Sequence, residues 1–493
     1  MAVPPRAPPP RPTKETPMRK SVLCANSRKA IRRREFLKTL GLGVAVAALP
    51  CLARGQQPPA PAAKGLNLVF LFADQMHGFA MGCMGDKQIR TPHLDRLAKE
   101  GVLFRNAYSS APVCTPFRGT LFTGRYGSQT GILDNERPLP QGEKTLADCL
   151  SAAGYRTSYV GKWHLGGAGN KAVPAALRGG FTDFIGYQCY NDYLENVVFF
   201  DEEGRGVKPG KHRTEATTDL AIARLERAAA TGPFALFVSY QNPHYPVQPS
   251  PEYDAMYRDV KIARRPNARD IDPYTATVSP RSPKKEDDAN WRAYGANLDR
   301  YLQLYYAMVT QLDANVGRML AALDRLGLAG RTAVMFTSDH GDLQGSHGLK
   351  NKSLPWEESV RIPCVVRVPG GAKGVVSDMP VSSVDYLPTC LDLAGAPPLA
   401  TAAGVSFAPA ARGREQDTSR PIFAEMKGWC LIRRGDLKLV ASRGQALQAT
   451  HLFDLKDDPY EMKDLVDNPA RAGAKQELFA ALAEWNRRVM ARG

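Results

Sequence analysis

The stretch "SSAPVCTPFRGTLFTGRY", Ser109 to Tyr126, places Cys114, Pro116 and Arg118 directly ahead of a run suited to a helix. Pro116 fits the first turn of that helix, which puts Cys114 at its amino end, where free N–H groups and the dipole favour negative charge. Arg118 lies one helical turn on and reaches back to the same spot. Such surroundings lower a thiol's pKa and hold an anion beside it. A cysteine that merely packs in a core needs neither neighbour. Other residues with chemical uses are Asp74 and Gln75 in "FADQ", Lys162 and His164 in "GKWHLG", His244 in "NPHYP", Asp339 and His340 in "SDHGD", and Lys352. Asp74, Gln75 and Asp339 offer hard oxygen ligands, which suit Ca2+ or Mg2+ better than zinc. Lys162, Lys352 and Arg118 supply cationic donors for a compact anion, while His164 and His244 can move protons near neutral pH. Taken singly, each has a bland reading as a loop carboxylate or a histidine bonded to a backbone carbonyl. Convergence on one sheet edge is what makes them a site.

Five short apolar runs have the look of buried parallel strands: "LNLVFLFAD", "RTSYVGKWH", "PFALFVSYQNPH", "RTAVMFTSDHGD" and "RIPCVVRVPG". Helical patterns lie between them. "TPHLDRLAKEG" has Thr91 as N-cap, Pro92 in the first turn and Gly101 past the end; "KTLADCLSAAG" repeats the scheme and stops at Gly154. In the longest, Leu298, Tyr301, Leu302, Tyr305, Met308, Leu312, Val316, Met319, Leu323 and Leu326 trace one face, and Gly327 ends it. Strands alternating with helices predict an α/β fold, a mostly parallel sheet flanked by helices. Four of the strands end at the chemical residues above, and ligands bind beyond the carboxyl ends of such strands. Residues 258–290, rich in Pro, Arg, Lys and Asp, read as an exposed insertion. Residues 66–420 form the expected catalytic domain, and from Pro421 short strands and turns predict a smaller α+β C-terminal subdomain over 421–493.

The net charge of +16 over 493 residues looks like a nucleic-acid signal, but residues 1–55 hold twelve Lys and Arg against two acids. That leader carries +10, which leaves +6 on the rest, so a nucleic-acid role is disfavoured. Within it, "RRREFLKTLGLGVAVAALPCLARG" runs basic, apolar, small, the order of a secretory signal. Arg33-Arg34 before Phe36-Leu37-Lys38 resembles a twin-arginine signal, which exports folded proteins and implies a periplasmic or secreted bacterial location. Cleavage after Ala53 fits. Pro50 disfavours a lipid-modified Cys51. No stretch is apolar enough for a stable membrane span. Of nine cysteines, Cys24 and Cys51 lie in the leader, and the other seven show no CxxC pairing, so neither a zinc site nor a disulfide scaffold is indicated.

"CTPFRGTLFTGR" resembles the C-x-P-x-R signature of type I sulfatases in the alkaline phosphatase superfamily. The resemblance extends through "TPHLDRLAKEGVLFRNAY", "GYRTSYVGKWHLG", "FTSDHGDLQGSHGLKNKSLPWEESVRIPCVV" and "FDLKDDPYEMKDL". It implies an alkaline phosphatase-like sheet and conversion of Cys114 to Cα-formylglycine by a formylglycine-generating enzyme acting before folding and export. One hydroxyl of the aldehyde hydrate would attack sulfur, and the second would then expel sulfate and restore the aldehyde. Asp74, Gln75, Asp339 and His340, with the modified Cys114, would hold a cation, Ca2+ or alternatively Mg2+. Arg118 would orient the hydrate, Lys162 and Lys352 would bind sulfate oxygens, His244 would protonate the leaving alcohol, and His164 would act as base in release. Two positions depart from the common pattern: many members carry Asp where Gln75 stands and Asn where His340 stands. A sulfated small molecule or glycan is the implied substrate.

Two other readings stay open on sequence alone. One is a phosphonate monoester or phosphodiester hydrolase of the same superfamily. The other is a non-enzymatic glycan-binding relative with a decayed site. Specificity would come from loops near residues 165–215 and 250–295.

Overall fold

β1 (Asn67–Asp74) is buried along its whole length. Val69, Leu71 and Ala73 enter one hydrophobic core, while Leu68, Phe70 and Phe72 enter another. Every position needs an apolar residue, which is why the run reads as unbroken rather than alternating. The computed structural model describes residues 65–491 other than 168, 170, 190, 191, 278–287, 415 and 416. The export signal expected in residues 1–55 lies outside the described residues.

Nine further strands complete the main sheet: β2 (Val102–Phe104), β3 (Arg156–Lys162), β4 (Asp183–Tyr187), β5 (Phe199–Phe200), β6 (Gly206–Val207), β7 (Phe234–Pro243), β8 (Thr332–Ser338), β9 (Cys364–Arg367) and β10 (Val375–Ser377). Their order is β10-β2-β9-β8-β1-β7-β3-β4-β5-β6. The block from β8 to β4 is parallel, with Leu68 level with both Ala235 and Ala333. One expectation needs correction. "RIPCVVRVPG" reads as another parallel strand, yet β9 runs antiparallel to β8, with Val365 opposite Phe336. The intervening chain stays at one edge of the sheet, and its only helix among the described residues is the four-residue turn Glu357–Val360. A parallel return would have to cross to the far edge of the sheet, usually through a helix, and this chain re-enters from the edge it left, so the strand runs antiparallel.

Helices cover both faces. α1 (Pro92–Lys99), α2 (Cys114–Thr123), α3 (Leu146–Ala152), α4 (Arg213–Ala229) and α5 (Leu298–Arg325) are the principal ones. α5 buries Leu298, Tyr301, Tyr305, Met308, Leu312 and Leu323 in the core of Val69, and Gly327 stops it with φ 65°. α2 and α3 pack Phe117, Leu121, Leu146 and Leu150 on the opposite side. Thr145 opens α3 with a capping box to Asp148. Thr91 opens α1, but its hydroxyl accepts from Gly82 N–H instead. The N–H groups of His93 and Leu94 donate to Asp313 of α5, at 3.2 and 2.7 Å. α1 is thus capped from another helix.

The exposed insertion expected over 258–290 is only partly exposed: nine of its 23 described residues are exposed, the others are half-buried or buried, and Ile262 and Tyr274 sit in the main core. Past Pro421, β11 (Ile422–Met426), β12 (Trp429–Arg434), β13 (Leu437–Arg443) and β14 (Leu447–Asp454) form an antiparallel sheet. α6 (Ala472–Met490) crosses it, packing Leu478, Leu482 and Trp485 on Cys430, Ile432 and Leu452. No helix among the described residues is long and apolar enough to cross a membrane.

Candidate active site

Four parallel strands deliver their last residues to one edge. β1 ends at Asp74, β3 at Lys162, β7 just before His244, and β8 just before Asp339 and His340. The chain turns sharply as it leaves: Gln75 and His164 have φ of 69° and 57°, and Asn351 and Ser353, either side of Lys352, have 85° and 78°. Left-handed backbone costs a non-glycine residue of order 1–3 kcal/mol, and such strain clusters where a side chain must be aimed.

Cys114 is the first residue of α2, and its sulfur is the hub. His340 Nε2 lies 3.2 Å from it, Lys352 Nζ 3.4 Å, Asp74 Oδ1 3.6 Å and Lys162 Nζ 3.8 Å. Lys162 also pairs with Asp74 at 2.6 Å. Arg118 is fully buried; its guanidinium reaches Asp74 at 3.2 Å and Asp339 at 3.5 Å and donates to Ser239 at 2.7 Å. His244 Nε2 stands 3.9 Å from Asp74, while its Nδ1 lies 2.6 Å from the carbonyl of Tyr245. His164 Nδ1 is buried with no partner. All ten residues singled out from the sequence are brought together here.

The electrostatics follow from burial set against crowding. Desolvation opposes ionisation of Cys114, but Lys162, Lys352 and His340 pull the thiol well below its usual pKa. Asp74 is likewise disfavoured by burial and by Cys114, yet Lys162, His244 and Lys352 hold it below the carboxylate range. Burial and the charge of Asp74 push Asp339 up. Burial, then Lys352, lowers His244 to about 4. For His164 burial lowers the pKa, but Cys189 and Cys114 raise it overall.

Asp74, Cys114, Asp339 and His340 present ligand atoms that all lie within 4.8 Å of one another. Two carboxylates, an imidazole and a thiol converging at one buried point fit a divalent cation. Gln75 is held differently. Its N–H donates to Asp339 at 3.0 Å, its carboxamide oxygen accepts from Lys352 at 2.8 Å, and its amide nitrogen donates to Asp342 at 2.5 Å. Asp342, Tyr301, Ser239 and Cys189 escaped sequence reasoning. Asp342 closes the "SDHGD" run, the one available signal, while Tyr301 reads only as part of the apolar face of α5.

The sulfatase family profile matches residues 66–396, and a profile for the C-terminal part of N-sulphoglucosamine sulphohydrolase matches residues 345–488. An ulvan-active sulfatase of Formosa agariphila is 37% identical over 335 residues, which cover 66% of this chain but only 61% of that protein. An N-acetylglucosamine-6-O-sulfatase of Bacteroides thetaiotaomicron is 25% identical over 501 residues, 88% of each chain. The solved YidJ structure from Bacteroides fragilis superposes with a TM-score of 0.76 at 26% identity, covering 89% of this chain and 98% of that one. The fold and site thus define an alkaline phosphatase superfamily member. The chain belongs to the sulfatase family within it, a sulfuric ester hydrolase by class.

Proposed function

We propose that the protein is an exported enzyme that hydrolyses sulfate esters of carbohydrates, with a formylglycine made from Cys114 as its nucleophile and a divalent cation beside it. The observation that carries this reading is the Cys114 sulfur at a helix amino end, ringed by Lys352, Lys162, His340 and Asp74 within 3.8 Å. The two carbohydrate sulfatases named above support the substrate class. The modified residue supplies a hydrated aldehyde, whose second hydroxyl gives the trapped sulfuryl group a way out. Asp74, Asp339, His340, residue 114 and the oxygen of Gln75 would hold the cation, which would supply charge neutralisation.

The remaining work falls to ordinary side chains. Lys162 and Lys352 meet the sulfate oxygens with two buried ammonium groups, which the low local polarity makes effective donors. Arg118, anchored on Asp74 and Ser239, fixes the orientation of residue 114. His244 faces the pocket through Nε2 and protonates the departing alcohol; an arriving sulfate anion favours its charged form and offsets the lowering by Lys352. His164 accepts the proton released when sulfate leaves. Against its burial, Cys189 by its charge and Cys114 by a hydrogen bond both raise the pKa of His164, which favours the imidazole taking up that proton.

The test has two parts. Mass spectrometry of the peptide containing Cys114, from protein matured in its exporting host, is expected to show formylglycine. That protein is expected to release sulfate from sulfated mono- and disaccharides in preference to turning over an aryl phosphonate. An intact thiol in fully active protein would overturn the nucleophile, and preference for the phosphonate would move the enzyme to the other hydrolase class.

A further inference from the structure

Gln75 brings an uncharged amide to a position where many sulfatases carry Asp, and the structure shows a carboxylate one bond further out. The two ends of the Gln75 carboxamide have different partners. Its oxygen accepts from Lys352, itself 3.4 Å from Cys114, and its nitrogen donates to Asp342 Oδ2. Lysine only donates and a carboxylate only accepts, so turning the amide over would set donor against donor and acceptor against acceptor. Asp342 cannot swing away. It is fully buried; Oδ2 also accepts from the Tyr301 hydroxyl, and Oδ1 accepts the backbone N–H of Gln344 and Asn351 at 3.1 and 3.0 Å. Asn351 directly precedes Lys352 and is left-handed, so one carboxylate pins both the amide and the lysine loop. A second cluster, His347, Glu358 and Glu461, is already engaged by cations, Arg265 at 2.7 Å from Glu358 and Lys438 at 2.6 Å from Glu461.

We propose that Asp342, braced by Tyr301, is a positioning residue that locks the Gln75 amide with its oxygen toward the catalytic pocket and lends that oxygen the negative character the missing Asp would have carried. The inference rests on the cation reading above. Polarising a ligand through its far end is how outer partners tune ion sites, and their loss commonly costs 10–100-fold in metal affinity.

The experiment is calorimetric titration of the purified mature protein with CaCl2, with melting temperature as a check on folding. Asp342→Asn places an NH2 against the NH2 of Gln75, which turns the amide over and is expected to weaken Ca2+ binding about 10–100-fold. Gln75→Glu is the sharper arm. If ligand charge alone mattered, an added carboxylate would tighten binding; here the introduced carboxylate faces that of Asp342, so weaker binding is expected. The double variant Gln75→Glu/Asp342→Asn restores a matched pair and is expected to recover affinity, giving a coupling of at least about tenfold. Additive losses, or tighter binding by Gln75→Glu alone, would overturn the role of Asp342 while leaving the cation site standing. Absence of Ca2+ binding by the unsubstituted protein would instead take down the cation reading and this inference with it.

Discussion

Lys352 joins the two halves of the site, bonded to the Gln75 oxygen at 2.8 Å and to the Cys114 sulfur at 3.4 Å, with a left-handed residue on either side. Two such residues in a row of three cost backbone energy that only an aimed side chain would justify. Lys352→Met keeps the aliphatic stem and removes the charge. Its kcat on a sulfated sugar is expected to fall about 10²–10³-fold, as when one preorganised donor is lost from a dry site. A steady-state comparison at matched cation concentration checks this, and an unchanged kcat would mean that the ammonium does not touch the sulfuryl group. At this scale the sequence was most legible where chemistry and position coincide. Asp74, Lys162 and Asp339 have types that core packing does not call for, Cys114 has neighbours that a core cysteine does not need, and each sits at a strand or helix terminus. Asp342 and Tyr301 were invisible for a physical reason. They act through Gln75 rather than on a ligand, and Tyr301 has the spacing of an ordinary core tyrosine.

Elements were readable in kind but not always in direction. β1, β7 and β8 are apolar on both faces because a core lies on each side, and that pattern survives in the sequence, whereas β3 buries Thr157 and Ser158 beside Tyr159 and Val160. The reversal at β9 did not, because direction is set by the connection rather than by the strand's own residues. The cap of α1 was hidden in the same way: Thr91 has the right type, but Asp313, more than two hundred residues away, takes the N–H groups. That arrangement has a pH signature. Burial raises the Asp313 carboxyl to about 7, against an ordinary value of 3.8. The folded state therefore holds a proton that the unfolded state has released between those values. Stability contributed here is full at low pH and is lost as pH rises toward 7, by up to about 4 kcal/mol. Asp313→Asn removes the titration. Urea unfolding of variant and parent at pH 5, 6, 7 and 8 is expected to show the variant gaining on the parent up to pH 7 and then levelling off. A difference that stays flat over the range would show that Asp313 is already ionised at pH 5.

Across the whole molecule, the antiparallel C-terminal sheet meets the loop segment that follows Lys352 through a buried ion network that no sequence pattern displays. Lys438 of β13 pairs with Glu461 at 2.6 Å and with Glu357 at 3.0 Å, and Glu357 also accepts from the Tyr108 hydroxyl at 2.7 Å. Glu357 lies five residues past Lys352, so the network also anchors the chain that carries the lysine proposed to meet the sulfate. Its two carboxyls are not equivalent. Burial opposes both, but Lys438, Arg361 and Arg433 hold Glu357 down at about 2, whereas burial leaves Glu461 up at about 7 despite Lys438. Different costs follow for the two sides of one ion pair. Lys438→Met takes from an ionised Glu357 the largest of its positive partners and leaves only Arg361 and Arg433, a loss of up to about 3 kcal/mol. Glu461→Gln replaces a carboxyl that is already near half-protonated at neutral pH and keeps an oxygen for the Glu357 N–H, so it costs about 1 kcal/mol. Chemical denaturation of the two variants at pH 7 measures both. Equal losses would show that Lys438 serves Glu461 as much as Glu357, and that the catalytic chain is not what the lysine holds in place.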